Sequence, residues 1–252
     1  MSTVLYEIDP GNGSARWRLF TPWAPALGFV ANVYFLFALQ ETQRTWRWCG
    51  ILGSLSMIVL SKSRLAFVVL GSVWGIARVL SLLTRPSAYF VGATVATVAG
   101  MCGVQIVEFI QLFADRFREA RSSSSRVRAT LGRIAYQRWQ AEAPIWGHGV
   151  PETGPHLVEF MPIGSHHTWF GLLFVKGMVG FVALAIPMLW TFIALLVRAQ
   201  SSALASLGLA LLLIVTFYTF GENLEILVYL YWPALVVIGA ALCEKMPAPS
   251  HL

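Results

Sequence analysis

An all-helical protein that crosses a membrane several times is the fold class this sequence predicts, and three observations carry it. Only 12% of the 252 residues are charged and 57% are hydrophobic, whereas a soluble domain holds about 25% charged residues. Aromatic side chains are abundant, with 10 Trp and 16 Phe, and Trp is a residue that gathers where a membrane meets water. Apolar runs near the spanning length of about 20 residues recur at residues 24–40, 48–61, 64–83, 88–112, 168–197, 203–220 and 223–243. Inside a bilayer the backbone must satisfy its own hydrogen bonds, so these runs are read as helices.

Taken in order, residues 2–15 are largely polar and lack the basic-then-apolar pattern of a signal peptide. Residues 1–112 then form an N-terminal membrane part with about four spans, of which the second is short. Residues 113–167 are one long polar loop, and residues 168–252 form a C-terminal membrane part with about three spans. The fifth run is long enough to bend or to begin as a half-helix, and it contains Lys176. Cys49, Cys102 and Cys243 show no metal spacing and read as buried small apolar residues.

Within the loop, residues 122–144 predict one helix. Ser125 or a neighbour caps it, Val127, Leu131, Ile134 and Ala135 share an apolar face, and Pro144 ends it. The Gly- and Pro-rich stretch that follows reads as irregular loop.

Seven spans put the termini on opposite sides. One arrangement places the N-terminus, Lys62–Arg64, the long loop and residues 221–225 outside, with Arg44, Arg47, Arg85, Arg198 and Lys245 inside. The long loop opposes it, with seven arginines against five acids. Either the chain is inverted, or those arginines are held outside because they bind an anion.

The residues able to carry chemistry gather on the outer side of that arrangement. His166 and His167 stand where polar sequence gives way to the fifth apolar run. A histidine held neutral by nearby arginines can take a proton from a hydroxyl, and arginines bind a diphosphate through charge-assisted forked hydrogen bonds. The plainer reading makes both histidines polar ends of a span. A zinc site from His148, His156, His166, His167, Glu152 and Glu159 is the rival, but no HxxxH or HExxH spacing occurs. Arg18 and Arg64 read equally as anion ligands or as side chains anchoring span ends. Lys176 requires a partner or water in its apolar surroundings, and Glu222 and Glu225 read as a solvated outer turn.

The order of RLFTPWAP, SKSR, SSRVR, APIWGHG and SHHTWFGLLFVKGMVG resembles the O-antigen ligase and polymerase superfamily of bacterial envelope glycan assembly. Ser63 and Arg64 match its Ser-Arg at a span start. Pro144, Gly147 and Gly149 match a P-x-x-G-x-G turn, Ser165 and His166 a Ser-His, and Gly177 and Gly180 a G-x-x-G. His167 stands where that family usually has Asn.

The resemblance implies a multi-pass protein of the bacterial inner membrane, related to the third class of glycosyltransferases, with its loop and site on the periplasmic face. It implies a metal- and cofactor-independent transfer, with inversion, of a polyprenyl-diphosphate-linked glycan to a glycan or lipid acceptor. His166 becomes the candidate base with His167 beside it, Arg18, Arg64, Arg126 and Arg128 become diphosphate ligands, and Lys176, Glu222 and Glu225 become supporting groups. Partners are the donor, the acceptor, the lipid bilayer and other proteins of polysaccharide assembly and export, with no nucleic acid. A polymerase of exopolysaccharide or capsule is expected ahead of a ligase. The alternative is a non-catalytic transporter or scaffold component. The family usually has ten or more spans, so a short or N-terminally truncated member is expected.

Overall fold

The computed structural model describes residues 5–8, 13–83, 86–101, 103–105, 107–108, 111–112 and 122–245. Arg85, Cys102, Arg116, Arg118 and Arg121 lie outside the described residues. The protein is mostly helical, at 74%, with little sheet. A short antiparallel hairpin of β1 (Tyr6–Ile8) and β2 (Ala15–Trp17) comes first, with Glu7 opposite Arg16. Among the described residues the α-helices with defined limits are α1 (Ala24–Gln40), α2 (Arg44–Ser61), α3 (Arg64–Leu80), α4 (Pro86–Met101), α5 (Ser122–Glu142), α6 (Thr168–Arg198), α7 (Ala203–Thr219) and α8 (Val228–Cys243).

The predicted apolar segments are helical over most of their described length, and their starts follow local chemistry. The Ser63 hydroxyl accepts from the backbone of Ala66 to begin α3, and Ser202 does the same from Ala205 for α7. Two helical segments, Thr168–Arg198 and Leu224–Cys243, are long and apolar enough to cross a membrane. Over residues 178–194 of α6 most apolar side chains face outward: Ile186 is 62% exposed and Trp190 73%. Water would disfavour such a surface, and lipid would cover it.

α1 and α7 form the centre and are buried on most sides. Phe29 of α1 packs on Tyr218 of α7 with ring centroids 4.6 Å apart. Small residues bring backbones close: a Cβ on Gly28 would stand 2.7 Å from that of Ala66. Asn32, buried in α1, donates to the carbonyl of Ala66 at 3.2 Å and lies 3.3 Å from the Tyr218 hydroxyl. One amide thereby ties α1, α3 and α7 together.

The bundle has two distinct ends. Trp23, Leu65, Thr168 and the turn 220–224 meet at one of them. Gln40, Arg78, Ser81, residues 199–203 and Ser206 surround a cavity of about 480 Å³ at the other.

α6 is broken at Gly177, whose φ of 64° and ψ of −161° no side-chain-bearing residue adopts without strain. An unbroken helix would bond Met178 N–H to Phe174 O and Val179 N–H to Val175 O. The loop after α5 supplies all four groups with new partners instead. Met178 N–H donates to Pro144 O at 3.0 Å and Val179 N–H to Ile145 O at 3.2 Å, while Phe174 O and Val175 O accept from His148 N–H and Gly149 N–H, each at 2.8 Å. Gly147, with φ 71°, lies against Gly177 so closely that a Cβ on either would enter the other's backbone.

Two expectations need correction. The helix of the long loop already includes Ser122, so Ser125 lies inside it and is not its cap. Cys49 and Cys243 are exposed on helix surfaces rather than buried, because helices that are apolar all round need not turn every small residue inward. The residues after Pro144 are irregular, as expected, and their hydrogen bonds to the break in α6 order them.

Candidate functional site

At the end where Trp23 and Thr168 meet, α5, the start of α6 and the turn after α7 enclose a pocket of about 550 Å³. Its chemistry comes from Arg128, Arg133 and Tyr136 of α5, from His166 and His167, and from the Gly221 backbone. Helical spacing explains α5: Leu131 and Ala135 point into the core, which turns Arg128, Gly132 and Tyr136 toward the pocket at four-residue steps. Gly132 lets Phe170 close the wall, since a Cβ there would stand 3.0 Å from the Phe170 ring.

Thr168 fixes the turn to α6. Its hydroxyl donates to Glu222 O at 2.7 Å and accepts from Leu224 N–H at 3.0 Å. Trp169 Nε1 donates to the Thr219 hydroxyl at 2.9 Å. Arg128 then reaches the Gly221 carbonyl at 3.5 Å.

The two histidines separate into different roles. His167 is the N-cap of α6, its Nδ1 accepting from Phe170 N–H at 3.4 Å. That acceptor role places the imidazole hydrogen on Nε2 and leaves no free lone pair. His166 Nε2 lies 3.4 Å from Met161 Sδ. Sulfur there can only accept, so the hydrogen is on Nε2 and Nδ1 keeps its lone pair. Burial first, and the positive charge of Arg128 second, pull His166 down to about 4. Burial also lowers His167. His166 is therefore neutral at physiological pH.

Glu222 departs most from its sequence reading. It is 3% exposed, not part of a solvated turn. Its carboxylate accepts from Trp23 Nε1 at 3.0 Å. Burial pushes it up to about 7 against the opposing pull of Arg128, the Trp23 hydrogen bond and Arg16. The fold buries it because Thr168 pins the turn backbone and Trp23 covers the side chain.

The remaining predicted residues lie elsewhere. Arg126 is exposed on α5, and Arg133 rather than Arg126 lines the pocket. Arg64 begins α3 half-buried, one residue before Leu65, which abuts Gly221. Arg18 donates to Pro22 O at 3.1 Å within its own turn. Lys176 and Glu225 pair with each other and line a second cavity of about 310 Å³ along α6, α7 and α8. His148 stacks on Phe174 and bonds Glu142, which Arg138 holds down to about 2. Arg138 also bridges to Glu152 at 2.6 Å, so this cluster locks the loop onto the break in α6. Among the described residues, no three His, Cys, Asp or Glu side chains gather as metal ligands.

Sequence reasoning missed Arg133 and Tyr136 as lining residues, although their five- and eight-residue spacing from Arg128 was visible. It also missed the hairpin that brings Glu7 and Arg16 near Glu222; the turn-type residues between YEI and ARW were the available signal. Comparison with known proteins adds no family: no family model matches the chain, and no curated protein matches it.

Proposed function

We propose that this protein is a multi-pass enzyme of a bacterial inner membrane that transfers a polyprenyl-diphosphate-linked glycan to an acceptor hydroxyl on the outer face. Of the two assembly reactions, polymerisation of an exported polysaccharide is preferred to ligation. The observation that carries the reading is the pocket itself. It joins a neutral histidine with a free ring lone pair to two arginines, at the end of an outward-facing apolar helix.

In this reading Arg128 and Arg133 hold the donor's diphosphate, and its prenyl chain runs along the apolar bundle surface. His166 removes the proton as the acceptor oxygen attacks the anomeric carbon from the face opposite the diphosphate. The bond between that carbon and the phosphate oxygen breaks, and the charge that develops on the diphosphate is met by the guanidinium groups. Attack from the opposite face inverts the anomeric centre. Arg128 is also one of the groups that keeps His166 low. A bound diphosphate offsets that charge, so the base strengthens when the donor is in place. Seven spans, with α5 and its flanking loop outside, complete the arrangement. The arginines of α5 then face outward because they bind an anion.

The test is glycan profiling in the native cell with His166→Ala at unchanged membrane protein level. Loss of surface polymer with accumulation of single lipid-linked repeats is expected. Long lipid-linked chains would instead identify a ligase. A normal profile would remove His166 as the base and favour a scaffold or transporter.

A further inference from the structure

Glu222 is a titratable group that the transfer step does not use. It lies beneath the pocket wall, next to the Gly221 carbonyl that Arg128 reaches at 3.5 Å. Charged and titratable groups face it from every side: Arg128 of α5, Arg16 and Glu7 of the hairpin, and Tyr218 of α7. The neutral Trp23 indole donates to it from the start of α1. Glu7 and Arg16 are themselves paired at 3.7 Å, which leaves Arg128 as the positive group shared between Glu222 and the pocket. Of the influences that favour a charged Glu222, Arg128 is the largest.

Resting on the transfer reading, we propose that Glu222 is the resident counter-anion of Arg128 and that an incoming diphosphate displaces it. The diphosphate takes over Arg128, and Glu222, left buried without that compensation, takes up one proton from water. Departure of the diphosphate returns Arg128 to Glu222, and the proton leaves. Arg128 itself is held by the Gly221 carbonyl at 3.5 Å; Glu222, one residue on and buried, balances its charge without a direct ion pair, and in that sense is a positioning residue.

The sign of the pH dependence follows. Glu222 without donor titrates near 7, and with an anion beside Arg128 it titrates higher. Below that window the carboxyl is protonated with or without donor, so affinity is flat. Within it, binding requires a proton, and affinity falls as pH rises, by up to about tenfold per pH unit. His166 starts from about 4, so any proton it gains on binding is taken up at lower pH.

The experiment uses the full chain in detergent or nanodiscs. Its probe is a short-chain prenyl diphosphate carrying one hexose, a diester with no titrating proton in this range. Calorimetry in buffers of different ionisation enthalpy is expected to show wild type taking up about one proton on binding at pH 8, with affinity falling from pH 7 upward. Glu222→Gln keeps an oxygen for the Trp23 indole and is expected to bind with no slope and no uptake in this window. Wild-type binding that is flat in pH without proton uptake overturns the inference, even if Glu222→Gln does not fold. A slope that persists in a folded Glu222→Gln overturns it too. Failure of wild type to bind the probe at any pH overturns the transfer reading itself.

Discussion

Glu222 and Gly177 each hold one costly local state that the rest of the fold sustains. Raising a carboxyl from 4.5 to about 7 on folding makes the folded state the better proton binder. The stability so gained is complete below pH 4.5 and is lost as pH rises through 7, a swing on the order of 3 kcal/mol. Glu222→Gln is therefore expected to raise the thermal midpoint at pH 8 and to change it little at pH 5, read by melting in detergent. At Gly177 the backbone conformation and the contact with Gly147 both exclude a Cβ. Gly177→Ala is expected to destabilise the protein by on the order of 3 kcal/mol, with a matching loss from Gly147→Ala and little from Gly53→Ala, where a Cβ meets open space. Both glycines stood out in the sequence, but their contact did not. They are 30 positions apart, and only the loop's return onto α6 brings them together. The burial of Glu222 was equally hidden, because a short Gly-Glu-Asn turn reads as solvated until Trp23 and Thr168 are placed around it.

At the scale of elements, apolar run length together with serine, proline and glycine punctuation was enough to place most helix limits. α1 and the start of α6 fall where the hydropathy and caps put them, and α3 opens at its Ser-Arg. The N-terminal strands were not found, since three-residue strands carry too little alternation to stand out. α6 was expected to bend or begin as a half-helix, and the break at Gly177 supplies the physical form of that. Lys176, just before the break, meets Glu225 from the turn leading into α8. Both side chains are partly exposed in the protein, so the pair contributes only about 1 kcal/mol in an aqueous setting. A double-mutant cycle with Lys176→Met and Glu225→Gln is expected to give a coupling of that size in detergent. Each single variant should be less stable than the double, because it leaves one charge against apolar neighbours.

For the whole molecule, each end of the bundle holds a cavity of its own. Gln40, Arg78, residues 199–203 and Ser206 surround one cavity; Arg128, His166 and Gly221 line another at the far end. The side each end faces is read out by single cysteines placed in a chain whose three native cysteines are serine. A cysteine at Leu157, 74% exposed, is expected to react with an impermeant maleimide added outside intact spheroplasts. One at Gln43 is expected to react only after lysis. The reverse pattern would invert the protein and put the pocket on the wrong side for an exported glycan. Composition alone made the helical class legible. The pairing of ends was not, because hydropathy marks where a chain crosses but not which crossings are neighbours.

The four exchanged backbone hydrogen bonds around Gly177 impose an order on how the chain is built. The stretch from Thr168 to Val179 is not self-sufficient: in lipid without residues 144–149 it would carry four unanswered backbone groups, each costing several kcal/mol. The answering residues, 144–149, precede α6 in the chain and are synthesised first. Translation therefore delivers the brace before the beam.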